Sequence, residues 1–570
     1  MRPSGLATVL SAVALGAGLP GVAAATPVLG QVGDGAPRLM VTFTDHPDAA
    51  QAADRLAGLG DVRAVVPEAG VWSLTPLHAD TARVLALRRA GVRTAEWSLA
   101  RRRADLPRAK EPPAPPVPLV TPPTPTDPLF TSSQQWSLFS PGGPFWRVAL
   151  TGSASRPRIA ILDGGVSVSH EEWRGPNSPL VAPRSTYANT ANADDWGRTG
   201  HGTHVAGIAA APANGVGIVG VAPSAAGTAE VIPVQIADRD GRSTDETMMK
   251  GIRWAVQNGA KVINISAGGP GYSQAFQDTV NWAFARGALI VSSVGNEGEE
   301  GNVLNYPAAY DHVLGVAAQC DGEVNPPDCA QPYGLARFSN HNSSVDIVAP
   351  GVNILSSVPR RVADRVVQPG YALKDGTSMA APYVAGAAAL VFGANPGASP
   401  YQVMRQLQNT ATDMGAGGRD DATGNGLVNP EAAVTLTLPR DDVDEINDDV
   451  PNVARAGALR SAELPATVDA TVDRYNDPRD LYPITLRAGQ AIRATVTSPK
   501  GSLALELWQP GTITVGGRER RATTTDRVAR SARPGARAQQ IRWTAQRTGR
   551  YYLEVAAVAG ATGYTLRIQK

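Results

Sequence analysis

Apolar positions change rhythm along the chain, and the changes divide it. Between residues 38 and 99 the pattern alternates. Arg38-Leu39-Met40-Val41-Thr42-Phe43 predicts a strand, and 48–59 a helix with Ala52, Leu56 and Leu59 on one face. Residues 71–74 predict another strand, and 79–90 a second helix carrying Val84, Leu85 and Leu87, so this stretch reads as a small α+β module. From 158 onward short apolar runs end in single polar residues: Ile159-Ala160-Ile161-Leu162 before Asp163, and Leu289-Ile290-Val291 before a Gly295-Asn296 turn. Residues 379–392 are apolar on every side, as expected of a helix inside a core. Beyond 453 come short strands at 481–486, 491–496, 503–507, 551–555 and 564–568, punctuated by glycine turns, which predict an all-β unit.

Length and composition add boundaries. At 570 residues the chain is too long for one domain, and its net charge of +1 supplies no global attraction for nucleic acid. Arg2, an apolar stretch at 6–19 and Ala23-Ala24-Ala25 have the layout of a secretory signal. That stretch is too short to span a bilayer, and no transmembrane segment is expected later. Prolines crowd 104–127, an extended stretch unable to form a core, and Arg101-Arg102-Arg103 just before it resembles a cut site for a trypsin-like activity. Cys320 and Cys329 are expected to pair, as two cysteines of a secreted protein do. The acidic run at 441–449 lacks EF-hand spacing and reads as a solvated spacer. Arg518, Arg520, Arg521, Arg527, Arg530, Arg533 and Arg537 read as a solvated loop or as a patch for an anionic surface.

The chemistry gathers in four motifs. Gly376-Thr377-Ser378-Met379-Ala380-Ala381-Pro382 places a hydroxyl at the start of the all-apolar helix, where unpaired N–H groups and the helix dipole favour negative charge. Asp163 ends a buried strand before Gly164-Gly165; His201 opens His201-Gly202-Thr203-His204-Val205-Ala206-Gly207; Asn296 follows Val294-Gly295. In the order Asp, His, Asn, Ser, these motifs resemble those of the subtilisin-like serine proteases, the subtilases, over roughly residues 128–436.

The resemblance implies an α/β fold, a mostly parallel sheet with helices on both faces. It implies Ser378 as nucleophile, His201 as general base and acid, Asp163 as orienting carboxylate and Asn296 as oxyanion donor. His204, three residues beyond His201, would be structural. Gly164 stands where the family usually has Ser or Thr, so the hydrogen bonding of Asp163 is expected to be altered. Ser266, Ala267 and Gly268 match the segment that pairs with substrate backbone, and Asn305 a residue of the adjoining pocket. The loop 212–218 resembles a calcium loop, implying Asn214 and the carbonyls of Pro212, Val216 and Ile218, with Glu172, as ligands of a structural calcium; the chemistry itself needs no cofactor. An ordinary Gly-rich turn is the alternative.

The implied organisation is a signal at 1–25, an inhibitory propeptide at 26–103, a Pro-rich linker at 104–127, a catalytic domain at 128–438 and an acidic linker at 439–452. Residues 453–570 resemble the β-sandwich of pre-peptidase C-terminal domains. A retained accessory domain is the alternative for 26–103. The expectation is a secreted, monomeric endopeptidase acting on extended polypeptides, with its own propeptide as intramolecular inhibitor and no nucleic-acid partner. The rival is a catalytically silent peptide-binding or surface-attachment protein on the same scaffold.

Overall fold

The computed structural model describes residues 38–43, 45–76, 92–103, 125–140, 156–174, 178–223, 229–323, 328–362, 365–442, 445–453, 465–512, 514–515, 526–535 and 537–569. The signal at 1–25 and the helix expected at 79–90 lie outside them.

The N-terminal module has strands β1 (Leu39–Phe43), β2 (Gly60–Val66), β3 (Val71–Pro76) and β4 (Val92–Trp97), in the order β2-β3-β1-β4. Helix α1 (Ala49–Arg55) starts at Asp48, whose carboxylate accepts the Gln51 N–H in a capping box, and stops four residues short of the expected end. Strand β2 was not anticipated: Asp61 and Arg63 break its apolar run, and pairing with β3 makes it a strand.

After β5 (Ala100–Arg103) come β6 (Arg158–Asp163), β7 (Arg184–Ser185), β8 (Glu230–Gln235), β9 (Arg242–Thr244), β10 (Ala260–Ile265), β11 (Ala267–Gly268), β12 (Leu289–Ser293), β13 (Val313–Gln319) and β14 (Ile347–Pro350). Seven of these make one parallel sheet, β14-β13-β12-β10-β6-β8-β7. Its strands alternate between two buried faces. Ile159, Ile161, Val262 and Val291 join a core with α2 (His201–Ala210) and, downstream, Thr377–Ala394. Ala160, Leu162, Ile263 and Ile290 join a core with α3 (Asp245–Gln257) and α4 (Gln274–Phe284). Burial on both faces explains why these strands read as unbroken apolar runs. The hairpin β15 (Ile354–Val362) and β16 (Arg365–Lys374) covers α2, and helices α5 (Thr377–Ala394) and α6 (Pro400–Thr410) follow. Helix α5 is 94% buried, a core helix despite its membrane-like hydropathy. Cys320 and Cys329 form a disulfide.

The last region is a two-sheet sandwich. Strands β17 (Ala466–Asp473), β18 (Arg479–Leu486), β19 (Ala491–Thr497), β20 (Ser502–Trp508), β21 (Arg527–Ser531), β22 (Gln539–Thr544), β23 (Gly549–Ala559) and β24 (Ala561–Gln569) pair as β17-β24-β19-β22 and β18-β23-β20-β21. Leu486, Ile492, Leu505, Leu553 and Leu566 share its core. All five expected strands are present. The expected arginine patch is in part an ion-pair cluster, with Arg527 and Arg530 both bonded to Glu506 at 2.9 and 2.7 Å.

Candidate active site

Each expected side chain sits at the end of an element. Asp163 is the last residue of β6, at the carboxyl edge of the sheet, and His201 the first of α2. A Cβ on Gly202 would lie 2.1 Å from the Gly165 carbonyl oxygen, so glycine there lets α2 approach β6 closely enough for the two to meet. His201 Nδ1 lies 2.9 and 2.8 Å from the two oxygens of Asp163, both side chains fully buried. A carboxylate only accepts, so Nδ1 carries the proton and Nε2 is the basic nitrogen. Nε2 is buried without a hydrogen-bond partner among the described residues. The Gly164 N–H donates to Asp163 Oδ1 at 2.7 Å. Backbone thus takes the place expected of a side-chain hydroxyl.

Ser378 is the second residue of α5, and its Oγ donates to the Ser266 carbonyl at 3.1 Å, while Ser266 Oγ donates to the Ser378 carbonyl at 3.0 Å. The strand-to-turn segment at Ser266 therefore holds the turn of Ser378 directly. Asn296 Oδ1 accepts from both the N–H and Oγ1 of Thr377, the residue before Ser378, at 2.9 and 2.8 Å, which fixes the orientation of the amide. Asn305 is buried behind Gly268, where a Cβ would lie 2.7 Å from its Nδ2, and donates to the Ser293 carbonyl at 3.4 Å. The structure thus brings Asn305 to Ser266, Ala267 and Gly268 at one cleft edge. His204 points elsewhere: its Nε2 donates to the Ile354 and Ala372 carbonyls, each at 3.0 Å. Burial, and the charge of Lys374, hold its pKa well below the usual value, so it is neutral.

The cleft is filled from within the chain. Strand β5 lies antiparallel between β11 and β9: Arg103 pairs with Ala267 and Arg102 with both Gly268 and Arg242. Arg101-Arg102-Arg103, expected as a cut site, thus form a paired strand, which was not anticipated. Sequence reasoning missed it because the partners of β5 lie some 140 to 170 residues away. The module upstream of β5 rests on α3 and α4. Met40, Val65, Val66 and Val71 share a core with Ile252, Phe276 and Val280. Arg38 bonds Glu246 at 2.8 Å, Arg253 bonds Glu68 at 2.7 Å, and Arg93 bonds Asp278 at 3.0 Å. Glu96 accepts the Gln274 N–H at 3.0 Å, satisfying the start of α4.

The loop expected to hold calcium closes on two carboxylates, Glu172 and Asp127. Glu172 Oε1 accepts the Ile218 N–H at 2.9 Å, and burial pushes its pKa up to about 8. Asn214 Oδ1 accepts the Val216 N–H at 3.0 Å, and the amides of Asn214, Gly215 and Val216 all point at Asp127. The second oxygens of both carboxylates, Asp127 Oδ2 and Glu172 Oε2, are buried with no hydrogen-bond partner among the described residues, and a cation shared with Asn214, Pro212, Val216 and Ile218 would satisfy them.

A second set of oxygen donors lies where a solvated spacer was expected. Asp442, Asn447 and Asp448 are buried, and Glu445 gathers with Asp477 and Asp480, and with His312 and Asp448, each group within 4.8 Å. Both carboxylate oxygens of Glu445, Asp448 and Asp477, and Oδ1 of Asp480, have no hydrogen-bond partner among the described residues. Burial and the neighbouring carboxylates raise the pKa values of Asp477 and Asp480 well above the carboxylate range. Hard oxygen donors in excess, buried and unsatisfied, are what a calcium ion neutralises.

A cleft that pairs with an extended backbone beside a buried, helix-borne serine defines the class: serine hydrolases acting on polypeptide chains. Comparison with known proteins agrees. The profile of the Subtilase family matches residues 154–426. Subtilisin BL of Lederbergia lenta is 39% identical over 284 residues, covering 50% of this chain and 92% of that one. Fervidolysin of Fervidobacterium pennivorans is 35% identical over 332 residues, 54% of this chain and 44% of its own. The crystal structure of fervidolysin, described as a keratinolytic enzyme related to subtilisin, shares the fold over 94% of both chains, with a TM-score of 0.59 at 22% identity. The chain belongs to the subtilase family. It is a subtilisin-like serine endopeptidase.

Proposed function

We propose that the chain is a secreted endopeptidase that cuts extended polypeptides with Asp163, His201 and Ser378 as its triad and Asn296 in its oxyanion hole. The observation that carries this is the buried Asp163–His201 pair, which leaves Nε2 as an unpartnered base in the cleft occupied by β5. Substrate pairs with Ser266, Ala267 and Gly268 as an added strand. Ser378 Oγ leaves the Ser266 carbonyl, gives its proton to His201 Nε2 and attacks the scissile carbonyl carbon. The oxyanion is met by the Asn296 amide and the Ser378 N–H at the start of α5. As the C–N bond breaks, the imidazolium returns the proton to the leaving amine. Water, deprotonated by the same nitrogen, then attacks the acyl ester, and Ser378 regains its proton from His201. Asp163 stays ionised throughout and stabilises the imidazolium.

The N-terminal module acts as propeptide and inhibitor, a reading supported by β5 lying along the substrate edge. The Cys320–Cys329 disulfide supports an oxidising, extracellular setting. A structural calcium would be held by Glu445, Asp448, Asp477 and Asp480, tying the segment after the catalytic domain to the sandwich; its contribution would be charge neutralisation, with no part in the chemistry.

The test is casein hydrolysis and labelling by a fluorophosphonate, in the self-processed full chain and in Ser378→Ala. Cleavage and labelling are expected in the parent alone. A processed parent that neither cuts nor labels would leave the silent peptide-binding scaffold as the better reading.

A further inference from the structure

Arg101 is among the largest fully buried side chains of the molecule, an unusual position for a guanidinium. Its Nε donates to Asp245 Oδ1 at 2.6 Å, and both side chains have no exposed surface. Nη1 donates to the carbonyls of Gly269 and Pro270 at 2.7 and 3.1 Å, and Nη2 to that of Gly271 at 3.1 Å. Four acceptors surround one planar fork. Asp245 and the three carbonyls belong to the catalytic domain: Asp245 opens α3 directly after β9, and 269–271 directly follow β11. The two cleft edges that clasp the backbone of β5 therefore also build this pocket.

The register locates the pocket relative to the chemistry. Arg103 pairs with Ala267. One further step along an antiparallel register is Ser266, which holds the turn of Ser378. Counting back from the residue opposite Ser266, Arg101 falls at the fourth position on the acyl side of the reacting bond. When β5 leaves, Asp245 and the three carbonyls all lose the donors that Arg101 supplies. A buried acceptor set of that kind is costly to leave unfilled.

We propose that Asp245 and the 269–271 carbonyls form a specificity pocket selecting arginine four residues upstream of the cleaved bond, so that the preferred substrates are polypeptides with arginine at that position. This rests on the peptidase reading above and names its substrate class. The guanidinium alone can reach four acceptors around one plane; the ammonium of lysine is a point charge with three donors and fits only part of the set. The pocket thus discriminates between the two basic residues as well as against neutral ones.

Internally quenched peptides with the sequence of residues 99–108, carrying Arg, Lys or norleucine at position 101, test this with the self-processed full chain. Arginine is expected to exceed norleucine by about 10- to 100-fold in kcat/KM, the range for charge-assisted hydrogen bonds, with lysine between. In Asp245→Asn the Arg-to-norleucine ratio should fall to within a few-fold of one. That ratio, taken on one preparation, does not depend on how much of the variant folds. Casein cleavage by the same parent separates the two ideas. If casein is cut but the three peptides react equally, or none reacts, the pocket assignment is overturned and the peptidase stands. If casein is not cut either, both fall.

Discussion

At the residue scale the site differs from the family pattern at Gly164, and the structure accounts for the difference. The backbone N–H of that residue supplies a donor to Asp163 directly. A Cβ added there would meet only Asp195 Oδ1, at 3.7 Å, so there is room for a side chain. A hydrogen bond to a charged group is worth about 1.5–3 kcal/mol, so Gly164→Ser should alter kcat/KM by no more than about a hundredfold in either direction. A loss beyond that, measured with a soluble peptide, would mean the glycine has a role this geometry misses. Asn296 is a sharper case. Its oxygen is fixed by Thr377, and under the proposed mechanism its amide nitrogen is an oxyanion donor, so Asn296→Ala should lower kcat by about 10²–10³ with little change in KM. An equal rise in KM would instead mark Asn296 as a binding residue. Asp163 and Asn296 were legible because each follows an apolar run, His201 and Ser378 because each opens a helix of small or apolar residues, with a polar group that the run does not need. Arg101 was not, since a guanidinium in a run of three arginines looks like surface until its acceptors come in from Asp245 and 269–271.

At the element scale α2 carries two histidines with opposite duties. His204 is locked under the β15–β16 hairpin, donating to Ile354 and Ala372, and Ser356 Oγ donates back to the His204 carbonyl at 2.7 Å. Its folded pKa is depressed by burial and by Lys374, with His201 adding to the repulsion. A depressed histidine stabilises the fold fully above its unfolded pKa of about 6.5. As pH falls below that value the unfolded chain takes up a proton the folded one refuses, and stability drops by up to about 1.4 kcal/mol per unit. Thermal unfolding of the Ser378→Ala chain between pH 7.5 and 5 should therefore show a downward slope that His204→Gln, which keeps an N–H donor, makes shallower. Identical slopes would show that His204 does not carry the dependence. The core strands and α5 could be foreseen from apolar runs alone. Strands β2 and β5 could not: Asp61, Arg63 and the three arginines mask them, and both owe their form to partners across the fold.

At the scale of the whole molecule three units are joined by buried charge. The N-terminal module is held to α3 and α4 by the arginine–carboxylate pairs of Arg38, Arg93 and Arg253. The sandwich meets the catalytic domain through Arg405–Asp473 and through Asn476, which donates to the Val313 carbonyl at 3.3 Å. The carboxylates at 445–448 and 477–480 lie between them. Those at 445–448 were read as solvent-facing because a loop was judged by its own spacing, whereas this donor set comes from two segments some thirty residues apart. Calcium binding there should raise the stability of the full-length Ser378→Ala chain by about 2.7 kcal/mol at a hundred times its Kd. The rise should reverse on chelation and be absent in Asp477→Asn. An unfolding midpoint indifferent to calcium and chelator alike would remove the ion from this account.

Strand β5 has one more consequence, which concerns concentration. While residues 104–124 are intact, the plug is tethered to the cleft it fills and meets it at an effective concentration on the order of millimolar. Scission of that proline-rich tether changes no contact in the cleft, yet it turns a unimolecular closure into an equilibrium between two molecules. Under the proposed inhibitory role, activation then depends on dilution: the severed segment leaves the cleft when the two molecules are dilute and stays there while they are kept concentrated.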